Sequence, residues 1–323
     1  MTQFSAYRPF FGFSNPHINT IVPNFFRKIR GVHYTRKPIN TPDGDILNLD
    51  LHTPDQNRKR IVLLLHGLEG DSQASYIKAA ARQAERSGYH AAALNMRSCG
   101  GEMNPQKEMY HSGKSDDVDT ACRYLIESGY REIHLLGFSL GGNIALKLAA
   151  ETDLSEIKST AAVSVPCRLA ASSQQMNSPI NRLYLNRFLK RLKRKAQHKI
   201  NQFPDCGLDK DSILKSRTLK EFDNAFTAPI HGFADADDYY SRCSSSYMLS
   251  QIKIPALILN AQDDSFLSPE CYPYQEAKIN PNLTLLTPAN GGHVGFIDRF
   301  PLSRPQWHER TVFEFMLCVG GEG

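Results

Sequence analysis

The stretch Glu132–Glu151, EIHLLGFSLGGNIALKLAAE, constrains this chain more than any other. An apolar run of strand character (Ile133, Leu135, Leu136) stops at Gly137-Phe138-Ser139-Leu140-Gly141, and a helical pattern (Ile144, Leu146, Leu148, Ala149) begins directly behind it. A serine held in so tight a strand-to-helix turn crowds the residues two before and two after it, so positions 137 and 141 suit a hydrogen as side chain. Gly142 extends the same allowance to helix packing. The free N–H groups of the following helix point at the bend and favour negative charge beside the Ser139 hydroxyl. A glycine-rich turn with an incidental serine is the plain alternative; strand before and helix after favour a nucleophile elbow.

Around this centre, strand and helix patterns alternate. Gly31 to Arg36 and Asp45 to Leu51 alternate as strands about the turn Thr41-Pro42-Asp43-Gly44, which predicts an opening antiparallel hairpin. Arg60 to Leu65 (RIVLLL) is a continuous apolar strand of the kind buried on both faces. A helix over Ser75 to Ser87 and a strand over Tyr89 to Asn95 follow. Next comes a helix capped by Ser115, with Asp116, Asp117 and Asp119 in its first turn. After the elbow helix, Ser159 to Val165 is a further strand. The pattern predicts an α/β fold with a mostly parallel, doubly wound sheet. From Cys167 to Ser250 only helical patterns occur, with an apolar face of Leu185, Phe188, Leu189, Leu192 and Ala196 and a capping box at Thr218-Leu-Lys-Glu221. Alternation resumes with the strand Ile254 to Asn260, a helix near Pro269 to Lys278, the strand Leu283 to Thr287 and a closing helix over Pro305 to Leu317. The expected organisation is therefore a core formed by residues 1–166 and 251–323, with a helical cap inserted at 167–250.

A hydrophobic share of 41% and a charged share of 22% are those of a globular chain of 323 residues. No run approaches the roughly 18 apolar residues of a membrane span, and the aromatic N-terminus lacks the pattern of a signal peptide. The seven cysteines are scattered without a C-x-x-C pair, which fits a reducing cytoplasm. The formal charge of +5 is concentrated: Arg182 to Lys199 carries eight basic residues and no acidic one, leaving the remainder net acidic. A solvated helix face is the simple account of that segment; peripheral contact with anionic lipid is the functional one. It lacks interleaved aromatics for stacking bases, so nucleic acid is not an expected partner.

A serine hydroxyl is a weak nucleophile until a base takes its proton, and the base needs a carboxylate to fix its tautomer. Two loops at the carboxyl ends of expected strands supply these groups: Ala261-Gln262-Asp263-Asp264-Ser265 and Asn290-Gly291-Gly292-His293-Val294-Gly295-Phe296. The order Ser139, Asp264, His293 is a known triad order. Asp263 competes with Asp264, which is favoured because it precedes a small residue, Ser265. The backbone N–H groups of Leu68, in His66-Gly67-Leu68, and of Leu140 are the expected oxyanion donors. His66 is read as structural. No metal-ligand or nucleotide-binding spacing occurs, so neither metal nor cofactor is expected.

Asn15-Pro16-His17-Ile18, HGLEG at 66–70, FSLGGN at 138–143, HGF and DDYY within 231–240, ILNAQDD at 258–264 and GGHVGF at 291–296 together resemble the YheT-like family of α/β-hydrolases, which includes the mammalian ABHD1/2/3 group. The resemblance covers nearly the whole chain. It implies an α/β-hydrolase fold and a serine esterase acting on acyl esters or lipids, with the family's triad on Ser139, Asp264 and His293. Ser265 departs from a position where relatives often have proline. The N-terminal membrane helix of the animal members has no counterpart, so the expected location is cytoplasmic, with the 182–199 segment as the one candidate for peripheral membrane contact. The alternatives are a non-catalytic binding protein of the same fold, and an acyl transferase or thioesterase using the same three residues.

Overall fold

The computed structural model describes residues 4–55 and 58–320. Eight strands form one sheet: β1 (Thr35–Asn40), β2 (Ile46–His52), β3 (Arg60–Leu65), β4 (His90–Asn95), β5 (Glu132–Phe138), β6 (Ile157–Val163), β7 (Ala256–Leu259) and β8 (Leu283–Leu286). Their order is β1-β2-β4-β3-β5-β6-β7-β8. β2 is antiparallel to both β1 and β4, and every other pairing is parallel. The carboxyl ends of β3 to β8 therefore share one edge, where a doubly wound sheet collects its functional loops.

Alternate side chains of the central strands enter two cores, as the strand period of two requires. On one face Ile61, Leu63, Ala92, Leu94, Ile133 and Leu135 pack under α3 (Ser115–Glu127) and α4 (Leu140–Glu151). On the other, Val62, Leu64, Ala91, Ala93 and Leu136 meet α2 (Ser75–Arg86) and the closing helix α12 (Trp307–Gly320).

Between β6 and β7 the described residues form helices and no strand: α5 (Leu169–Gln175), α6 (Arg182–Gln202), α7 (Lys210–Lys215), α8 (Leu219–Phe222), a π-turn Asp223–Thr227, α9 (Ala228–Ile230) and α10 (Ala236–Cys243), with short 3-10 turns. Leu185, Leu189, Leu192 and Ala196 of α6 are buried, the face expected from their spacing, and join the core on the α3/α4 side. Thr218 accepts from the Glu221 N–H at 3.1 Å, while the Glu221 carboxylate turns back to the Arg217 N–H at 2.7 Å.

Several elements depart from the sequence reading. β1 starts at Thr35 rather than Gly31, and it contains Pro38. It is the sheet edge, where a missing N–H is tolerated, and only Ile39 is buried, so its period-two signal is faint. Ser115 does not cap α3; it is the first helical residue, and its Oγ donates to Glu151 Oε2 of α4 at 2.6 Å. The helix expected over Pro269 to Lys278 is broken by Pro273 into a 3-10 turn (Pro269–Cys271) and α11 (Tyr274–Ile279). A helix that the sequence reading omits, α1 (Pro16–Phe26), starts with Pro16 behind Asn15, whose side chain accepts from the N–H groups of His17 and Ile18.

Arg97, just after β4, knits the hairpin to the core. Its guanidinium donates to Asp117 Oδ1 at 2.7 Å, Asp45 Oδ2 at 3.0 Å and Asp43 Oδ2 at 2.6 Å, and its side chain is almost fully buried. Removing this cation leaves the buried carboxylates of Asp45 and Asp117 without the guanidinium that joins them. Arg97→Met is expected to lower unfolding stability by about 3–5 kcal/mol in urea titration; a loss under about 1 kcal/mol would show that water reaches the carboxylates and that the network does not anchor the hairpin.

Candidate active site

Ser139 stands between β5 and α4 with φ 53° and ψ −122°, a backbone conformation that a non-glycine residue adopts at a cost of order 1–3 kcal/mol. The surroundings enforce it. A Cβ at Gly137 would collide with the Gly141 carbonyl, and one at Gly141 would meet the carbonyls of Leu65 and His66. Gly142 packs against Ala162 and Val165 with no room to spare, since a Cβ there would lie 3.2 and 3.1 Å from theirs. The turn is fastened from the α4 side by Asn143, fully buried, whose amide donates to the Ser112 and Cys243 carbonyls at 2.8 Å each and accepts from the Ser245 N–H at 2.9 Å.

The loop after β3 passes beside this turn. His66 is fully buried, with Nδ1 2.8 Å from the Gly67 carbonyl and Nε2 3.1 Å from the Met96 N–H. A carbonyl can only accept and an N–H can only donate, so the ring is the neutral Nδ1–H tautomer. Burial pushes its pKa down to about 4. The Gly67 N–H donates to Tyr76 OH, the Glu69 N–H to Tyr110 OH and the Gly70 N–H to the Gly67 carbonyl. Among the described residues the N–H of Leu68 has no protein acceptor, and neither has that of Leu140. Both leucines line the cavity that contains Ser139.

The loops after β7 and β8 bring the acid and the histidine together. Asp264 Oδ2 lies 2.8 Å from His293 Nδ1, and its Oδ1 accepts from the Phe266 N–H at 3.0 Å. Phe266 stacks on the imidazole with ring centroids 4.2 Å apart. Because the carboxylate only accepts, Nδ1 carries a proton, and in the neutral ring Nε2 is then the nitrogen with the lone pair. Asp263 does different work: it accepts from the Gly292 N–H at 2.9 Å and from Asn290 Nδ2 at 3.4 Å, shaping the glycine turn. Ser139 and His293 line the same cavity wall, with Leu68, Leu140 and Phe266.

Part of the histidine's support was not legible in the sequence. Thr20 Oγ1, on α1, accepts from the His293 N–H at 2.8 Å, and Asn19 Oδ1 accepts from the Ile297 N–H at 3.0 Å. Cβ atoms at Gly292 and Gly295 would strike the carbonyls of Pro16 and Asn19, so those glycines are the surface on which α1 rests. Ser164, itself at φ 53°, accepts from the Val294 N–H at 2.9 Å and ties the loop to the end of β6. The Asn15-Pro16 helix start was the available signal for α1; no sequence signal pairs it with residue 293.

Two cavities meet at Ser139. The inner one runs under the helices of 167–250 and is walled by Leu169, Met176, Leu192, Leu219 and Phe222. The outer cleft, about 480 Å³, opens between α1, α2 and α6 and includes Phe25, Leu183, Arg187 and Arg191. Leu68, Phe188, Phe266 and His293 border both.

The basic face of α6 is partly committed to the protein. Glu69, with a fully buried side chain, meets Lys195 Nζ at 2.9 Å and Arg191 Nε at 3.5 Å. Lys199, buried, donates to the Asn104 and Gln106 carbonyls, and Lys193 donates to that of Leu214 at 2.8 Å. Arg182, Arg187, Lys190 and Arg194 remain exposed. No described helix is long and apolar enough to cross a membrane.

The chain matches known proteins along most of its length. A family model described as alpha/beta hydrolase fold matches residues 60–300. YheT of Escherichia coli (strain K12) is 35% identical over 95% of this chain and 92% of its own. Phospholipase ABHD3 of Mus musculus is 31% identical over 94% of this chain and 76% of its own. Among solved structures, the esterase Pf2001 of Pyrococcus furiosus superimposes with a TM-score of 0.59 over 99% of both chains at 17% identity, a likeness of fold.

The His66 geometry sets a pH dependence. Below its ordinary pKa near 6.5 the unfolded chain binds a proton that the folded chain refuses, so stability falls as pH drops from about 6.5 towards 4. In 15N NMR, His66 is expected to remain the neutral Nδ1–H tautomer down to about pH 5. A ring that titrates near 6.5 would contradict the two bonds assigned to it.

Proposed function

The chain belongs to the YheT/ABHD-type family of α/β-hydrolases, and on that premise we propose that it is a serine hydrolase of carboxylic acyl esters working through an acyl-serine intermediate. The observation that carries the reading is the 2.8 Å contact of Asp264 with His293 Nδ1, in a cavity whose wall also holds Ser139 at a strained turn. His293 Nε2 takes the Ser139 proton as Oγ attacks the ester carbonyl, and the imidazolium that forms is stabilised by the Asp264 carboxylate. The tetrahedral oxyanion is held by the Leu68 and Leu140 N–H groups, aimed before reaction by the bonds that pin their neighbours, so little reorganisation accompanies the charge. The imidazolium then protonates the leaving alcohol, and water, activated by the same ring, releases the acid. The helical stretch 167–250 serves as the cap over this site, because its residues wall the inner cavity.

The relatives' names point to lipid esters, since ABHD3 is called a phospholipase. For this chain we propose small acyl esters or lipids as substrates, reaching Ser139 by the outer cleft. Contact with an anionic membrane rests on Arg182, Arg187, Lys190 and Arg194, together with the exposed Phe25 and Leu183 at the same cleft. Replacing those four cations by Glu is expected to abolish sedimentation with phosphatidylserine vesicles at low salt; equal sedimentation of variant and wild type would make α6 a solubilising face only. Lys195 and Arg191 are left intact in that test because they neutralise buried Glu69.

The mechanism is tested by turnover of p-nitrophenyl esters. Ser139→Ala and His293→Ala are each expected to cost roughly 10⁴ to 10⁶ in kcat, and Ser139→Ala to lose labelling by a fluorophosphonate. Asp264→Asn is expected to cost about 10⁴ by imposing the wrong tautomer on His293, and Asp263→Asn far less. Substantial turnover by purified Ser139→Ala would overturn the reading, and the reverse ranking of the two aspartates would overturn the role given to Asp264.

A further inference from the structure

The inner cavity holds more than an apolar wall. Asp223 opens the π-turn Asp223–Thr227, a distortion of the kind that redirects side chains within a helical run. Its Oδ1 accepts from Thr227 Oγ1 and its Oδ2 from Tyr240 OH, both at 2.6 Å, and Tyr240 OH lies 3.0 Å from Ser173 Oγ. All four residues line the cavity that contains Ser139. Tyr240 belongs to the DDYY motif, which the catalytic reading leaves unused. Its neighbour Tyr239 has a structural task, accepting from the Ser112 N–H at 2.9 Å.

A carboxylate offers about four acceptor sites, and the protein's hydrogen bonds to Asp223 occupy two. Burial raises its pKa to about 6, so at neutral pH an anion sits in a cavity whose wall also includes Leu169, Met176, Leu219 and Phe222. Acceptor capacity left in such a place is costly unless a donor meets it. Among the described residues no lysine or arginine lines the inner cavity, so an anionic group entering it would meet like charge at Asp223. His111, also on the wall, is held neutral by burial, its pKa well below the ordinary value. A neutral donor that is itself cheap to dehydrate fits best, and a hydroxyl is the simplest.

We propose that the inner cavity takes a chain of the ester that carries a hydroxyl group, which donates to Asp223 and is positioned by Tyr240 and Ser173. This rests on the ester-hydrolase reading, because the chain is anchored at Ser139. Asp223 and Tyr240 are then specificity-determining residues, and the preferred substrates are hydroxylated acyl esters or esters of diols rather than plain alkyl ones.

The test compares kcat/KM of the full chain for p-nitrophenyl esters of unbranched acids of about four to ten carbons with that for their ω-hydroxy and ω-amino counterparts. A parallel set places the hydroxyl on the alcohol side, as butyrate monoesters of α,ω-diols against butyrates of the matching alkanols. At one chain length in one of the two sets, the hydroxyl is expected to raise kcat/KM about tenfold, the effect of one hydrogen bond to a charged group. Asp223→Leu is expected to reverse that preference, and Tyr240→Phe to reduce it several-fold. A ratio at or below one at every length in both sets, a ratio unchanged in Asp223→Leu, or a greater gain from the amino group overturns the inference while leaving ester hydrolysis standing. Should Asp223→Leu not fold, Tyr240→Phe decides alone, and a ratio equal to wild type overturns the inference. Absence of turnover with every ester would overturn the proposed function and this inference with it.

Discussion

The turn at Ser139 is the constraint on which the rest of the structure depends. A residue at φ 53° flanked by two contacts that admit no Cβ is stable only if strand and helix on both sides are fixed. β5 lies between β3 and β6, with its residues buried from Ile133 to Phe138, and α4 is buried along most of its length. The strain is thus confined by parallel pairing on both flanks and by Asn143, which ties α4 to the loop at Ser112 and to the end of α10. Parallel pairing also aligns the carboxyl ends of β3, β5, β6, β7 and β8, so loops distant in sequence converge on one edge.

The polar groups at that edge are arranged so that few choices remain. His66 is fixed in one tautomer by a donor and an acceptor, and two tyrosine hydroxyls take the N–H groups on either side of Leu68. Tyr110 also donates to Glu69 Oε1 at 2.8 Å, and that carboxylate pairs with Lys195 of α6. The loop beside the serine and α6 are consequently one electrostatic unit. Buried pairs of this kind contribute little net stability when formed and cost several kcal/mol when one partner is removed, which makes them registration devices rather than glue.

α6 therefore has three faces with different tasks. Leu185, Leu189, Leu192 and Ala196 join the core; Arg191, Lys193, Lys195 and Lys199 meet protein acceptors; and Arg182, Arg187, Lys190 and Arg194 face outwards. A basic run read as one surface is divided by the helical period, because residues three or four apart share a face and nearer ones do not. Burial depresses the Lys199 pKa to about 8, the cost of placing an ammonium among carbonyls without a carboxylate in hydrogen-bond reach.

By itself the sequence determined those features whose cause is local. Strand, glycine-serine-glycine turn and helix follow one another within twenty residues, so the elbow is written in contiguous pattern, and the runs RIVLLL and ALIL carry the period of strands covered on both faces. The helical character of 167–250 and the buried face of α6 are equally matters of spacing. Tertiary structure decided what depends on separate segments meeting. The adjacent Asp263 and Asp264 point their side chains to different partners, Asp264 to His293 and Asp263 to the Gly292 N–H. The seat of α1 under the histidine loop joins positions some 273 residues apart, and Asp223, at the start of a π-turn, meets Tyr240 of α10, 17 residues away. Local periodicity carries no information about such contacts, since they are fixed by which surfaces the assembled sheet leaves free to pack.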